Sequence, residues 1–208
     1  MESEDALLKI KEWFETGEED SKDIVKSPWE VEVFRDENER ITGLRAINPK
    51  FPISFVVRPM QNSIRISATL PFETATLGLR ERVKAYRTAL IINERIELVK
   101  VSLVGDEEEL NICCDLDMRS LGEGEFDEAL STIYAAIVTL VDRLGLEEEL
   151  KREILLTMTY LISRKKEEGY TRKQLYEFLV KRAGMKEEMA SKIIEAAYRG
   201  SREIDYAY

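Results

Sequence analysis

The stretch ALSTIYAAIVTLV, residues 129–141, contains no charged residue, although 35% of the 208-residue chain is charged. At about 1.5 Å per residue a helix over this stretch is roughly 20 Å long, which is shorter than the roughly 30 Å hydrocarbon core of a bilayer. The length argues against a membrane span. It predicts a helix that is buried in protein.

Apolar residues surround most of this helix. One stripe consists of Ile133, Ile137, Leu140, Val141 and Leu144, and Leu130, Tyr134 and Val138 widen it. A helix with so little polar surface requires neighbours on two sides. We expect one neighbour to be the sheet of its own domain, and the other to be either a second domain or a second copy of the chain.

The remaining pattern predicts an antiparallel sheet before this helix. All five prolines lie between residues 28 and 71, which marks that region as strands and turns. Alternation of apolar and polar residues predicts strands near 29–33, 51–57 and 64–70, with a weaker strand at 41–47 that pairs with the first across the turn 36–39. Two more strands, 96–104 and 110–116, are joined by a hairpin loop at 105–109.

Helical spacing predicts the other elements. Helices are expected at 4–16, at 76–92 with the apolar stripe Leu79, Val83, Tyr86 and Leu90, at 125–144, and then at 147–167, 171–183 and 186–199. The predicted fold class is α+β, with helices packed on one face of an antiparallel sheet. The predicted domains are residues 1–146 and a small three-helix domain over 147–208.

Composition removes several kinds of chemistry. The chain has no histidine, which excludes Ser-His-Asp and Cys-His catalysis and zinc sites that use histidine. Cys113 and Cys114 are adjacent on a predicted strand and point to opposite faces, so a disulfide between them is geometrically poor. The start of the chain is acidic and no apolar run follows it, so we expect a cytoplasmic protein.

Carboxylates are the remaining catalytic option. Asp115 and Asp117 share a strand face, and residues 107–109 are three glutamates that lie nearby in sequence. Paired carboxylates can hold Mg²⁺ or transfer protons. A solvated outer face with a charged loop explains the same pattern, and we expect no metal, no cofactor and no catalytic residue.

The charge is distributed unevenly. The net charge is −10, but residues 148–208 have 13 Lys and Arg against 11 Asp and Glu. A basic rim on the helical domain suggests nucleic-acid binding as an alternative function. Its candidate residues are Arg164, Lys165, Lys166, Arg172, Lys173, Lys181 and Arg182.

The order of elements resembles that of bacterial type III secretion chaperones and the related YbjN-like proteins. The resemblance covers about residues 1–147, with an added helical domain after it. It is clearest from a helix ending in Leu90-Ile91-Ile92-Asn93, through strands at 99–103 and 110–116, to Phe126 at the start of the last helix. This resemblance implies a small acidic dimer that holds another polypeptide in extended form on apolar patches, without hydrolysing it.

The favoured hypothesis is therefore a non-enzymatic, chaperone-like protein that binds a client polypeptide, works as a homodimer and has no contact with membranes. The client remains unidentified. Large aromatic residues often dominate interfaces. The residues predicted to form the client or dimer interface are Trp13, Phe14, Leu130, Tyr134, Ile137, Val138 and Val141.

Overall fold

The computed structural model of the protein describes residues 3–19, 21 and 23–199. Residues 200–208, the end of the predicted helical domain, lie outside the described residues. The elements are α1 (Ser3–Glu15), β1 (Glu30–Arg35), β2 (Ile41–Asn48), β3 (Phe51–Pro59), β4 (Ser63–Glu73), α2 (Leu79–Arg95), β5 (Lys100–Val104), β6 (Glu109–Asp117), α3 (Glu123–Leu144), α4 (Glu147–Glu167), α5 (Arg172–Glu177) and α6 (Glu187–Arg199). A π-helical turn, Phe178–Arg182, continues α5.

The six strands form one antiparallel sheet in the order β1-β2-β3-β4-β6-β5. β1 pairs with β2, as the alternation of residues predicted. The predicted α+β class is confirmed, and helices follow the sheet at the C-terminal end. β5 begins at Lys100 rather than at residue 96, because Leu98 has a φ of 66° and interrupts the extended backbone.

Successive residues of β2 contribute to two different cores. Leu44 and Ala46 of β2 point into the first core, where α1 and α3 pack on the sheet. Ile47 points to the opposite face, where it joins the second core. Helix α4 lies on that opposite face across β3 and β4. Buried residues of the second core come from all the C-terminal helices and include Met158, Leu161, Ile162, Leu175, Leu179, Ala190 and Ile194.

Helix α3 contains the uncharged stretch and is buried along most of its surface. Leu130, Ile133 and Ile137 have no exposed surface. On one side α3 contacts β4 and β6, and on another it contacts α2. The helix ends at Gly145, whose left-handed φ of 76° lets its N–H bond to the carbonyl of Val141 at 2.8 Å. The second neighbour of this helix is therefore largely α2 of the same chain.

Helix α2 turns its small residues inward. Its buried residues are Ala85, Thr88, Ala89 and Ile92, and small side chains allow close approach to α3. Three residues of the stripe predicted from spacing face outward instead, since Leu79, Val83 and Leu90 are 80%, 54% and 69% exposed, while the fourth, Tyr86, is half-buried and bonded to Glu108. Spacing therefore identified a real apolar stripe that is not the face packed against the rest of the chain.

Candidate functional site

An apolar groove runs beside the exposed side of α3. One wall is α3 itself, through Tyr134, Ala135 and Val138, and the other wall is the segment 23–25 between α1 and β1. The groove has a volume of about 610 Å³. Val138 is 58% exposed in it, although it belongs to the most apolar helix of the chain. Its lining is completed by Asp23, Ile24, Val25, Phe51, Ser131 and Thr139.

Two side chains hold the outer wall of the groove in place. The fully buried Asn48 donates from Nδ2 to the carbonyl of Ile24 at 2.8 Å and to Oγ of Ser27 at 2.9 Å. Lys50 donates from Nζ to the carbonyls of Glu19 and Ser21 at 2.7 and 2.6 Å. These bonds hold a segment that has no regular secondary structure, and the bond from Asn48 fixes the wall of the groove at Ile24.

Two aromatic rings, those of Phe51 and Tyr134, line the apolar groove, and those of Phe55 and Trp29 are buried behind them. The ring of Tyr134 lies 5.3 Å from the rings of Phe51 and Phe55 and 6.0 Å from that of Trp29, between centroids. The Tyr134 hydroxyl and the Trp29 Nε1 atom are buried and have no hydrogen-bond partner among the described residues. Burial raises the pKa of Tyr134 well above its ordinary value, so this phenol stays neutral.

An acidic cleft of about 210 Å³ adjoins the apolar groove, and Val25 lines both. Half-buried Trp13 forms one side, and its ring lies 5.5 Å from that of Phe126. The carboxylates of the cleft come from Glu18, Glu123 and Asp127, and its described lining contains one cation, Lys26.

The carboxylates of the acidic cleft are poorly neutralised. Partial burial raises the pKa of Asp127, and the negative charges of Glu123 and Asp23 raise it further against the opposing effect of Lys26. Among the described residues, no ion pair within 4.0 Å involves Glu123 or Asp127. The cleft therefore has an excess of negative charge at its surface.

The structure separates the seven predicted interface residues into two groups. Trp13 lines the acidic cleft, and Tyr134 and Val138 line the apolar groove. The other four, Phe14, Leu130, Ile137 and Val141, are buried in the first core. The sequence interpretation missed Ile24, Val25 and Phe51. An adjacent apolar pair in a charged segment was the signal for the first two, but no periodicity supported it.

Most of the predicted basic rim is used inside the molecule. Lys165 and Arg182 donate to the carboxylate of Glu30 on β1 at 2.8 and 2.9 Å. Arg164 pairs with Glu168 at 3.0 Å, and Lys166 donates to the carbonyl of Ala197 at 3.0 Å. Arg172, Lys173 and Lys181 are exposed. The structure therefore does not bring the seven residues together into one accessible basic surface.

The candidate catalytic carboxylates are neutralised. Arg65 binds Asp115 through two bonds of 2.6 and 2.9 Å and Lys100 binds it at 2.7 Å, and together they lower the pKa of Asp115 to about 2. Hydrogen bonds from Arg119 lower the pKa of Asp117 to about 2 as well. Within the described residues, no three or more His, Cys, Asp or Glu side chains are grouped as a metal would require.

The two cysteines lie buried and free in β6. Burial raises the pKa of both thiols, that of Cys114 to about 11, so neither is a thiolate at neutral pH. Among the described helices, none combines the length and apolar character needed to cross a membrane.

Several solved structures are similar to this chain. An uncharacterized protein from Methanothermobacter thermautotrophicus has a TM-score of 0.45 and 16% identity over 67% of this chain and 96% of that chain. The heterodimeric ExoU–SpcU complex of the Pseudomonas aeruginosa type III secretion system has a TM-score of 0.34 and 17% identity over 54% and 80%. YbjN from E. coli has a TM-score of 0.38 and 16% identity over 57% and 82%. Both groups named in the predicted resemblance are represented among these structures.

Sequence comparisons divide the chain into two parts. No curated protein matches it. A family model described as a domain of unknown function, DUF8183, matches residues 9–144, and a second model, HTH_78, also described as a domain of unknown function, matches residues 145–208. Since the first model matches more than half of the chain, the protein belongs to the DUF8183 family.

Proposed function

We propose that this protein is a non-enzymatic, chaperone-like adaptor that works as a homodimer and binds a segment of a client protein in the apolar groove beside α3. The observation that carries the proposal is the groove itself, in which Val138 and Ala135 are exposed beside Phe51 and Tyr134. Removal of a concave apolar surface of this kind from water by a partner favours binding. The lining residues Ala135 and Val138 are exposed to solvent, which suits a polypeptide laid across the surface better than a small molecule that must be enclosed.

The outward stripe of α2 supports a homodimer. Leu79, Val83, Tyr86 and Leu90 follow one another at spacings of four, three and four residues. This is the spacing of a seam between two paired helices. The same stripe on a second copy of the chain has matching length and chemistry, and a two-fold axis brings both together.

Pairing of two copies through the neighbouring sheet edge is less favourable than pairing through α2. β5 is the edge strand beside α2. The side-chain amide of Asn93 accepts from the N–H of Val101 at 2.6 Å and donates to its carbonyl at 3.1 Å. Asn93 therefore occupies backbone groups that another strand would need, which is a way of protecting an edge.

Nucleic-acid binding is the alternative function, and the geometry supports it less well. Four of its seven candidate residues hold the C-terminal helices together or to β1, since Arg164 also lies 3.8 Å from the carboxylate of Glu30. The exposed face of α6 has Glu187 and Glu188 in its first turn. These carboxylates repel phosphate and therefore weaken the electrostatic attraction that drives nucleic-acid binding.

The dimer is tested by light scattering on the purified protein. We expect the mass of two chains, and we expect the mass of one chain for Leu90→Glu, since the substitution places a charge in the seam. Lys84→Glu on another side of α2 is the matched control and should stay dimeric. A single-chain mass for the unaltered protein would overturn the homodimer.

The client site is tested by a photo-activated cross-linking residue in place of Val138, with the same residue in place of exposed Lys151 as control. Irradiation in the cells of origin should join a second protein to position 138 and not to position 151. A variant at position 138 that gives no protein adduct would overturn the groove as the client site. Retention of the protein on a nucleic-acid column that is lost at moderate salt would favour the alternative.

A further inference from the structure

We infer that the segment bound beside α3 is extended and has Lys or Arg at one end and large apolar residues at the other. The inference rests on the proposed function, because it names the chemistry of the partner at the same site. Its basis is the juxtaposition of the acidic cleft and the apolar groove along one side of α3.

The acidic cleft and the apolar groove are two parts of one trough. Glu123, Asp127, Ser131, Ala135 and Val138 line them in that order along α3. Their spacing keeps all five within about a third of the helix circumference, and the distance from the first to the last is about 22 Å. Segment 23–26 faces them on the other side, with Val25 shared between both parts.

The charge of the trough changes along this length. Glu18, Glu123 and Asp127 line the first part, where Lys26 is the cation of the described lining. In the second part Asp23 is the charged residue, and the other lining residues are apolar or uncharged. A segment with cations at one end would neutralise carboxylates that no described ion pair satisfies, and apolar residues at its other end would cover Phe51 and Val138.

Trp13 adds a second means of recognising a cation. Its ring is half-buried in the acidic cleft, next to the carboxylates. A Lys or Arg side chain over an indole face gains a cation–π interaction as well as the attraction of the carboxylates. An acidic or neutral segment gains neither of these interactions.

The length of the trough sets the length of the segment. An extended chain rises about 3.3 Å per residue, so about seven residues span about 22 Å. The cationic side chains should therefore lie about five residues from the apolar side chains in the partner, with one group at each end of the seven-residue segment.

Three labelled seven-residue peptides test the inference by fluorescence anisotropy with the full-length protein. The first has two arginines at one end and leucine and phenylalanine at the other. The second replaces the arginines by glutamates, and the third replaces the leucine and phenylalanine by serines. We expect the first to bind about tenfold more tightly than either of the others, from two surface ion pairs with a cation–π contact and from the buried apolar groups respectively.

Charge reversal in the cleft provides the decisive comparison. The variant Glu123→Lys with Asp127→Lys should prefer the glutamate peptide over the arginine peptide. The control Glu147→Lys with Glu148→Lys changes the net charge by the same amount on α4 and should keep the original preference. If the charge-reversed variant unfolds, Glu123→Gln with Asp127→Asn replaces it, and this variant should bind the arginine peptide and the glutamate peptide equally.

The possible results separate this inference from the proposed function. Equal binding of the arginine and glutamate peptides by the unaltered protein, while position 138 still cross-links to a protein, would overturn the inference alone. The same loss of preference in the cleft variant and in the α4 control would overturn it too, since overall charge would then explain the binding. Failure of the peptides to bind and of position 138 to cross-link would overturn both proposals.

Discussion

The carboxylate of Glu30 is one of several links between the C-terminal helices and the sheet, and replacing Glu30 by Gln should loosen these helices. Glu30 of β1 accepts bonds from Lys165 of α4 at 2.8 Å and from Arg182 at 2.9 Å. Its side chain is 11% exposed and that of Lys165 is 3% exposed. The Lys165 ammonium also lies 4.7 and 4.6 Å from the ring centroids of Tyr170 and Phe178.

The magnitude of the effect follows from what the substitution leaves behind. Glutamine has nearly the same shape as glutamate but no charge, so Lys165 becomes a buried cation without a counter-charge. Removal of one partner from a buried ion pair costs about 3–5 kcal/mol. Arg182 keeps a second carboxylate, Glu19, at 3.7 Å, and Lys165 keeps its two aromatic rings. We therefore expect a loss near the lower end, about 3 kcal/mol.

Urea unfolding, followed by circular dichroism, measures this loss. Glu148→Gln is the matched control, because it removes an exposed ion pair with Lys151 of 2.6 Å on the same helix, and it should leave the unfolding curve unchanged. Hydrogen exchange should accelerate in α4 to α6 before it does in β3 and β4, since the lost contact joins the C-terminal helices to β1.

A double substitution separates charge from shape. Glu30→Gln with Lys165→Met removes both charges, and it should be more stable than Glu30→Gln alone because methionine leaves no buried cation. If Glu30→Gln unfolds at the same urea concentration as Glu148→Gln, or if the double variant is the least stable of all, the reasoning about this ion pair is wrong.

Two further substitutions test the first core and the outer face of the sheet. Ile137→Asp places a carboxylate where the side chain has no exposed surface, and it should lower the free energy of unfolding by several kcal/mol in a thermal unfolding experiment. Val138→Asp, one residue further along α3, is the exposed control. Coincident unfolding curves for Ile137→Asp and the unaltered protein would contradict the burial of this helix. Asp115→Asn tests an acid-dependent contribution to the stability of the fold. Arg65 and Lys100 lower the pKa of Asp115 to about 2 from an ordinary value of about 3.9. The Asp115 carboxylate therefore stabilises the fold above about pH 4 and loses that effect as the pH falls towards 2. Urea unfolding between pH 5 and 2, at about half-unit steps, should show a shallower loss of stability for Asp115→Asn than for the unaltered protein. Parallel losses would refute the stabilising role of the Asp115 carboxylate.

The sheet was predictable because each strand contains its own pattern. Ile64, Ile66 and Ala68 alternate with polar residues, and all three point into the first core. The spacing of residues 147–167 likewise predicted the bounds of α4. These are local properties, set by periods of 2.0 and 3.6 residues, and they need no knowledge of what lies nearby in space.

The packing of α2 could not be predicted in the same way. Leu79, Val83 and Leu90 form a clear stripe, yet Ala85, Thr88, Ala89 and Ile92 are the residues of α2 that are buried against the rest of the chain. Periodicity shows that a helix has an apolar face, but it does not show whether that face meets the same chain or another one. Only the position of α3, which is set by distant residues, decides the question.

Long-range partners explain the other differences. The sequence predicts Lys165 and Arg182 as members of a basic rim, because their partner Glu30 lies more than 130 residues earlier and no local pattern connects them. Segment 23–26 reads as a charged linker, because the bonds from Asn48 that hold it appear only in the folded chain. A count of charges or apolar residues along the sequence contains neither relationship.

The arrangement of the layers indicates that the two proposed interfaces can be used at once. Helices α1 and α3 cover one face of the sheet and α4 covers part of the other, so the faces themselves offer little apolar surface to a partner. The stripe of α2 lies beside β5, at one edge of the sheet. The trough lies on the other side of α3, next to Phe51 of β3 and Trp29 before β1. Because α3 separates the two surfaces, a client segment in the trough would not compete with a second copy on α2, and each chain of the proposed dimer would bind one segment.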